Sequence, residues 1–239
     1  MRTGVALAIK YLKLAVYESI LHFMQTLTEL LVASDLRDRV FSERQVELLT
    51  RGSAQRRYNL VNRALKAGEL LRLVRGVYML SPDISGVRPH SFVVAQALRP
   101  GSFISFESAL EWHGCIPEAV RQVRCVVPGR RKASFEVPSY GEFRFIPAPV
   151  LPGHLLAGVR RERLTAGTAL VADPVRALLD LVCHRKIEPA ALMDFLGGLR
   201  LDQGWLTELN SGDVQRYRGV YRFRRMDDVI EKLAEGLAA

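Results

Sequence analysis

The chain has 239 residues, 49% of them hydrophobic and 25% charged, an ordinary globular composition that excludes collagen-like, disordered and disulfide-scaffold classes. Its length suits one large domain or two small ones. The net charge of +9 points to an acidic partner. Cys115, Cys125 and Cys183 make an odd set with no CxxC pair, which fits a reducing cytoplasm better than a disulfide framework.

Residues 5–31 come closest to a long apolar run, but Lys10, Lys13, Glu18 and Glu29 interrupt it. Neither a membrane span nor a signal peptide is expected, since the apolar stretch 5–9 is too short for an h-region and no small-residue cleavage site follows. Instead Ile9, Leu12, Val16, Ile20, Phe23, Leu27, Leu30 and Leu31 recur at spacings of three and four, which predicts an amphipathic helix over 9–31. Its polar face mixes acids with bases, unlike a membrane-surface helix. Its apolar face needs cover from the next domain or from a second copy, and the oligomeric state stays open.

Residues 42–67 read as two short helices around a turn. Ser42 and Gln45 form a capping box, and Val46, Leu48 and Leu49 supply apolar contacts. Thr50-Arg51-Gly52 makes the turn, Ser53 caps the second helix, and Gly68 stops it. Two β runs follow, 70–74 and 77–80, joined at Arg75-Gly76 as a hairpin. Residues 83–89 read as a linker.

The charge is concentrated here. Residues 51–75 carry Arg51, Arg56, Arg57, Arg63, Lys66, Arg72 and Arg75 against Glu69 alone, two thirds of the chain's excess. An ordinary solvated basic face is one explanation; the concentration favours a nucleic-acid footprint. In the second helix Ala54, Tyr58, Val61 and Leu65 predict one buried stripe. Gln55, Asn59, Asn62, Arg63 and Lys66 then fall opposite, with Arg56 at the edge and no carboxylate among them. Arg reads guanine, and Asn or Gln reads adenine, whereas a carboxylate would be repelled by phosphates. The N-terminal part of such a helix contacts bases, which nominates Gln55, Arg56 and Asn59 for direct readout. Arg57, Arg63 and Lys66 are assigned to phosphates, and Arg72 and Arg75 on the hairpin to a phosphate strand or the minor groove. The expectation is a winged helix-turn-helix that binds double-stranded DNA; the competing reading uses the same surface to contact protein.

Residues 90–239 predict helices over 90–98, 106–112, 174–183, 189–197 and 226–237, and strands over 103–105, 120–127, 134–137, 143–146 and 169–171. That order argues for α+β rather than regular βαβ alternation. Three segments are predicted: the N-terminal helix (1–33), the winged helix-turn-helix (34–84) and a mixed α+β domain (85–239).

Three strings in this order resemble the AbiEi-type antitoxin family. Leu65-Lys66-Ala67-Gly68-Glu69-Leu70-Leu71-Arg72-Leu73-Val74-Arg75-Gly76-Val77-Tyr78, preceded by Phe41-Ser42-Glu43, is similar to its winged-helix N-terminus. Phe103-Ile104-Ser105-Phe106-Glu107-Ser108-Ala109-Leu110-Glu111-Trp112-His113-Gly114 is similar to the opening of its C-terminal domain. Ala172-Asp173-Pro174-Val175-Arg176-Ala177-Leu178-Leu179-Asp180-Leu181 is similar to a later helix. The resemblance spans about residues 36–185 and departs from the family pattern at the long first helix. It implies a cytoplasmic bacterial repressor of its own toxin–antitoxin operon. Its C-terminal domain would counteract a nucleotidyltransferase-like toxin without a stable complex.

Enzymatic alternatives lack their motifs. A metal-dependent nuclease needs clustered carboxylates with a lysine; Glu136-Val137-Pro138 lacks the lysine, and Asp227-Asp228 sits where a helix begins. A nucleotidyltransferase needs Gly-Ser followed by Asp-x-Asp, and Gly52-Ser53 has no such pair. No Gly-x-Ser-x-Gly elbow, Walker loop or GxGxxG occurs. His22, His90, His113, His154 and His184 are scattered, without a zinc spacing even beside Cys115 or Cys183. No catalytic residue, cofactor or metal is therefore expected. Arg121, Arg124, Arg130, Arg131 and Lys132 form a second basic cluster. Arg216, Arg218, Arg222, Arg224 and Arg225 interleave with Tyr217, Tyr221 and Phe223, which suits single-stranded nucleic acid, RNA included, or equally an amphipathic strand with both tyrosines on one face.

Overall fold

A computed structural model of the chain describes residues 26–117 and 121–237. These residues hold eleven α-helices and two β-sheets, so the protein is α+β. The chain divides into two compact units between Arg88 and Pro89.

The first unit opens with α1 (Leu27–Val32), whose N-cap Thr26 makes a capping box with Glu29. Thr26 is extended, so this helix starts at Leu27 and a single helix through 9–31 does not form; residues 9–25 lie outside the described residues. Leu27 and Leu31 are buried in the unit's core with Phe41, Val46, Leu60, Val61, Leu70 and Leu80. Next come β1 (Phe41–Ser42), α2 (Glu43–Leu49), α3 (Ala54–Lys66), β2 (Leu70–Val74) and β3 (Val77–Leu80). Ser42 caps α2 and exchanges hydrogen bonds with Gln45, as the spacing predicts. Ser53 accepts from the Arg56 amide and starts α3; Gly68, at φ +72°, ends it. The sheet order is β1-β3-β2, antiparallel throughout. Gly76 takes the left-handed turn at φ +80°, and its carbonyl accepts from the Glu43 amide, tying the hairpin tip to α2. A bulge between Arg72 and Val74 turns Leu73 inward. The predicted linker 83–89 is partly helical: α4 (Pro82–Ser85) starts on a capping Ser81.

The second unit is a six-stranded mixed sheet, ordered β6-β7-β5-β4-β9-β8, with helices packed on it. Its elements begin with α5 (Ser91–Leu98), β4 (Phe103–Ile104), α6 (Phe106–Trp112), β5 (Gln122–Val127), β6 (Ala133–Val137) and β7 (Gly141–Pro147). They continue with β8 (Val159–Leu164), β9 (Gly167–Ala172), α7 (Pro174–Arg185), a 3-10 turn (Pro189–Ala191), α8 (Leu192–Gly198), α9 (Gln203–Glu208), α10 (Ser211–Gln215) and α11 (Arg224–Gly236). β8, α9 and α10 fall where no element is expected. β8 carries Arg160, Arg161, Glu162 and Arg163, and as an edge strand it can keep that charge in solvent.

The core of this unit contains an ion pair. In α7 every residue from Val175 to Cys183 is buried, including Arg176 and Asp180, both with fully buried side chains. Arg176 Nε donates to Asp180 Oδ1 at 3.0 Å, and its Nη1 donates to the Ala157 carbonyl at 2.8 Å. Asp180 also accepts from Ser105 Oγ at 2.7 Å and from Tyr221 OH at 2.8 Å. Burial works against the Arg176 charge, but Asp180, together with Tyr221 and Tyr217, more than offsets it and the guanidinium stays protonated. One turn earlier Asp173 caps α7 through the Arg176 amide and accepts from Tyr217 OH (2.6 Å) and Arg216 Nη2 (2.8 Å).

Tyr217 and Tyr221 are thus inside the protein, bound to carboxylates, and burial pushes both phenols above their usual range. Neither an amphipathic strand nor a stacking platform forms over 216–225. The segment is a turn whose Arg222 amide and Leu151 amide exchange hydrogen bonds across 149–151 and 220–222.

Gly158 closes against this network at φ +70°, where an added Cβ would lie 1.9 Å from the Tyr217 hydroxyl. Gly158→Ala is expected to cost roughly 2–5 kcal/mol from left-handed strain plus overpacking. Asp180→Asn, which leaves the buried Arg176 cation uncompensated, is expected to cost about 3–5 kcal/mol. Urea unfolding of each variant checks both; a loss under about 1 kcal/mol in either would contradict the network's structural role.

Candidate nucleic-acid interface

The surface of the first unit is set by the phase of α3. Leu60, Val61 and Ala64 are its buried residues, with Leu65 packed against the core. The predicted stripe through Ala54 and Tyr58 is therefore corrected: Ala54 is exposed, and Tyr58 is 64% exposed. The periodicity admitted two phases, and Leu60 with Ala64 buries more apolar surface than Tyr58 with Ala54. On α2, Val46 is buried and Leu49 packs on the core, but Leu48 is 80% exposed and makes no core contact.

This phase brings Gln55, Asn59, Asn62 and Lys66 onto one outward face, with Tyr58 on one flank and Arg63 on the other. Gln55 Nε2 donates to Asn59 Oδ1 at 3.1 Å, so the two amides one turn apart form a preset pair. Arg56 folds back along the turn, with its Nη1 donating to the Arg51 carbonyl and its stem beside Gly52. Arg57 departs from the set. It lies on the half-buried side and pairs with Glu47 of α2 at 3.2 Å, so it braces the two helices. Glu69, the lone acid of the basic stretch, accepts from Thr28 Oγ1 of α1 at 2.6 Å.

Arg72 and Arg75 are exposed on the hairpin. The Arg72 guanidinium sits 5.7 Å from the Tyr78 ring centroid, which holds it at the edge of the sheet. Of the nine predicted residues, the structure thus gathers Gln55, Asn59, Asn62, Arg63 and Lys66 on one helix face. Arg56 lies at the preceding turn, Arg72 and Arg75 lie on the hairpin, and Arg57 is engaged with Glu47. Tyr58 is the face residue that sequence periodicity assigned to the core.

His22 lies outside the described residues, and among those described His90, His113 and the cysteines serve packing and backbone contacts. His90 caps α5 and packs edge-on against Phe92 and Trp112; burial lowers its pKa. His113 Nε2 lies 2.9 Å from the Ala172 carbonyl. All three cysteines are buried; burial raises each thiol, Cys115 to about 12 and Cys183 to about 11. Among the described residues no three His, Cys, Asp or Glu side chains converge as a metal site, and no helix is long and apolar enough to cross a membrane.

No protein-family model and no curated protein matches the chain.

The helix phase is directly measurable. Tyr58→Ala should change stability by less than about 0.5 kcal/mol, as for an exposed site, whereas Leu60→Ala should cost about 2–5 kcal/mol. The reverse order in urea unfolding would restore the Ala54–Tyr58 stripe and rotate the proposed face away from solvent.

Proposed function

We propose that residues 34–84 are a winged helix-turn-helix that binds double-stranded DNA with α3 in the major groove and the β2–β3 hairpin as the wing. The observation that carries this reading is the outward face of α3. Gln55, Asn59, Asn62, Arg63 and Lys66 stand there without a carboxylate, on a helix fixed by Ser53 and buried through Leu60, Val61 and Ala64.

In this reading the Gln55–Asn59 pair, near the helix N-terminus, reads a base edge; Asn59 and Gln55 together present the donor and acceptor that adenine needs. Arg56 rotates off the Arg51 carbonyl to reach guanine or a phosphate. Asn62 lies along the same line, and Arg63 and Lys66 meet the phosphate strand. Tyr58 offers its ring to a thymine methyl or its hydroxyl to a phosphate. Arg72 and Arg75 reach a neighbouring strand from the hairpin. Arg57 is withdrawn from the contact set, because its charge is spent on Glu47.

The wider role we assign is that of a cytoplasmic AbiEi-type antitoxin, a non-enzymatic repressor of its own operon. Residues 89–239 would oppose a nucleotidyltransferase-like toxin without forming a stable complex. This part is supported by the resemblance at 65–78, 103–114 and 172–181. The last of these strings holds Asp173, Arg176 and Asp180, whose buried bonds account for it as a folding requirement, so it does not locate the neutralising residues.

Fluorescence-anisotropy titration with duplex DNA tests the face. Lys66→Ala should lower the slope of log affinity against log salt by about 1, uniformly across sequences. Asn59→Ala should lose about 1–3 kcal/mol and relax the preference at one base pair. Arg57→Ala should leave the salt slope unchanged. Binding that is indifferent to Asn59 and Lys66 would contradict the interface and favour a protein partner for this surface.

A further inference from the structure

The second unit contains a cationic cleft separate from the α3 face. It encloses about 300 Å³ and is lined by Glu107, Ile116, Arg121, Gln122, Arg124 and Arg185, with Leu199 at one side. That volume is at the lower end of small-ligand sites and exceeds what a bare phosphate fills.

Its charges are unbalanced. Glu107, in the first turn of α6, is the only carboxylate in the lining among the described residues. Arg124 Nη1 donates to one of its oxygens, and Arg185 Nη2 donates to the other at 3.3 Å. Arg121 is exposed and has no ion-pair partner among the described residues. Three guanidiniums therefore line the cleft, and two of them share the Glu107 carboxylate. The surplus field reaches a neighbour: burial lowers the His184 pKa, and Arg124, Lys132 and Arg185 lower it further.

Hydrogen bonding is incomplete as well. Arg124 is only 8% exposed, and its Nε finds no acceptor among the described residues; Gln122 Oε1 is likewise buried without a donor. Buried groups of this kind cost free energy when left unmet. The Arg124 guanidinium is held in place, 4.9 Å from the Phe106 ring centroid, and the other flank of that ring packs on His184 at 5.6 Å. Phe106 itself has φ +56°, a strained value for an aromatic residue. The preceding residue, Ser105, donates its hydroxyl to Asp180 and makes no side-chain cap on α6.

A preset arginine, two more guanidiniums beside it and one carboxylate among the described lining residues describe a receptor for an oxyanion. We infer that this cleft binds the phosphomonoester of a nucleotide-sized small molecule, with Arg121, Arg124 and Arg185 on the phosphate and Ile116 and Leu199 against the apolar part of the ligand. Arg presents forked donors that match phosphate geometry. Glu107 holds the forks in position and competes with the ligand for them. This site is independent of the DNA-binding reading.

Isothermal titration of the full chain with inorganic phosphate and with adenosine 5′-monophosphate, at ionic strength matched with chloride, tests it. Saturable binding of both is expected, tighter for the nucleotide. Arg121→Gln and Arg185→Gln should each weaken it roughly tenfold, the loss of one charge-assisted bond. Glu107→Gln should tighten it, because the competing charge is gone. The His184 imidazole supplies a local reporter: an anion beside it should raise its pKa, read by NMR titration, in wild type and not in Arg185→Gln. No saturable heat, or the same response in all variants, would overturn the proposal. An equal His184 shift from a single-stranded oligonucleotide without a terminal phosphate would also overturn it, by assigning the cleft to a nucleic-acid backbone.

Discussion

The fold of the larger unit depends on keeping one cation out of water. Arg176 is fully buried, and its bonds, with those of its counter-charge, join segments distant in the chain. Asp180 is its counter-charge on the same helix, and the Ala157 carbonyl meets it from the loop before β8. Asp180 in turn collects Ser105 from the end of β4 and Tyr221 from the segment before α11. A buried pair of this kind contributes little net stability over apolar packing, but removing one partner is costly. Its consequence is placement. Four segments distant in sequence can meet only in the one arrangement that satisfies both charges. Ser105 also immediately precedes α6, the helix that carries Glu107 at the cationic cleft.

The smaller unit works by a different constraint. Its core is apolar, and its polar groups are spent at helix ends and turns: Thr26 and Ser42 in capping boxes, Ser53 on α3, Gly76 at the hairpin. These local bonds fix the rotation of α3, and the rotation decides which side chains face solvent. Two of the basic side chains are bound nearby, Arg57 by Glu47 and Arg56 by the Arg51 carbonyl. The remaining cations of residues 51–75, namely Arg51, Arg63, Lys66, Arg72 and Arg75, are exposed on the turn, helix and hairpin. Positive charge at this density is costly in self-repulsion, which the proposed DNA duplex would relieve.

Much of the smaller unit is legible in the sequence because its signals are local. Ser42, Gln45, Ser53, Gly68 and Arg75-Gly76 announce caps, stops and the hairpin within a few residues of where they act. Phase was less legible. Ala54, Tyr58, Val61 and Leu65 fit a helical stripe as well as Leu60, Val61 and Ala64 do, and only tertiary packing chooses between them. Helix 9–31 is an overextension of the same kind, since the Thr26–Glu29 box inside it was a local start signal. In the larger unit the charge pattern misled. β8 looks like loop because it is an edge strand rich in arginine, and 216–225 looks like an aromatic-basic surface because burial of Tyr217 and Tyr221 depends on Asp173 and Asp180, about forty residues away. The cleft around Arg124 joins residues from α6, β5 and α7, with no linear motif to announce it.

The α3 face is proposed to read DNA. Its most direct test is anisotropy binding of the full chain to the duplex immediately upstream of its own gene, beside a shuffled duplex of equal length, at two salt concentrations. The account predicts tighter binding to the native sequence than to the shuffled one, weakening steeply with salt as phosphate contacts are lost. Failure to bind either duplex, or equal affinity for both, would contradict it.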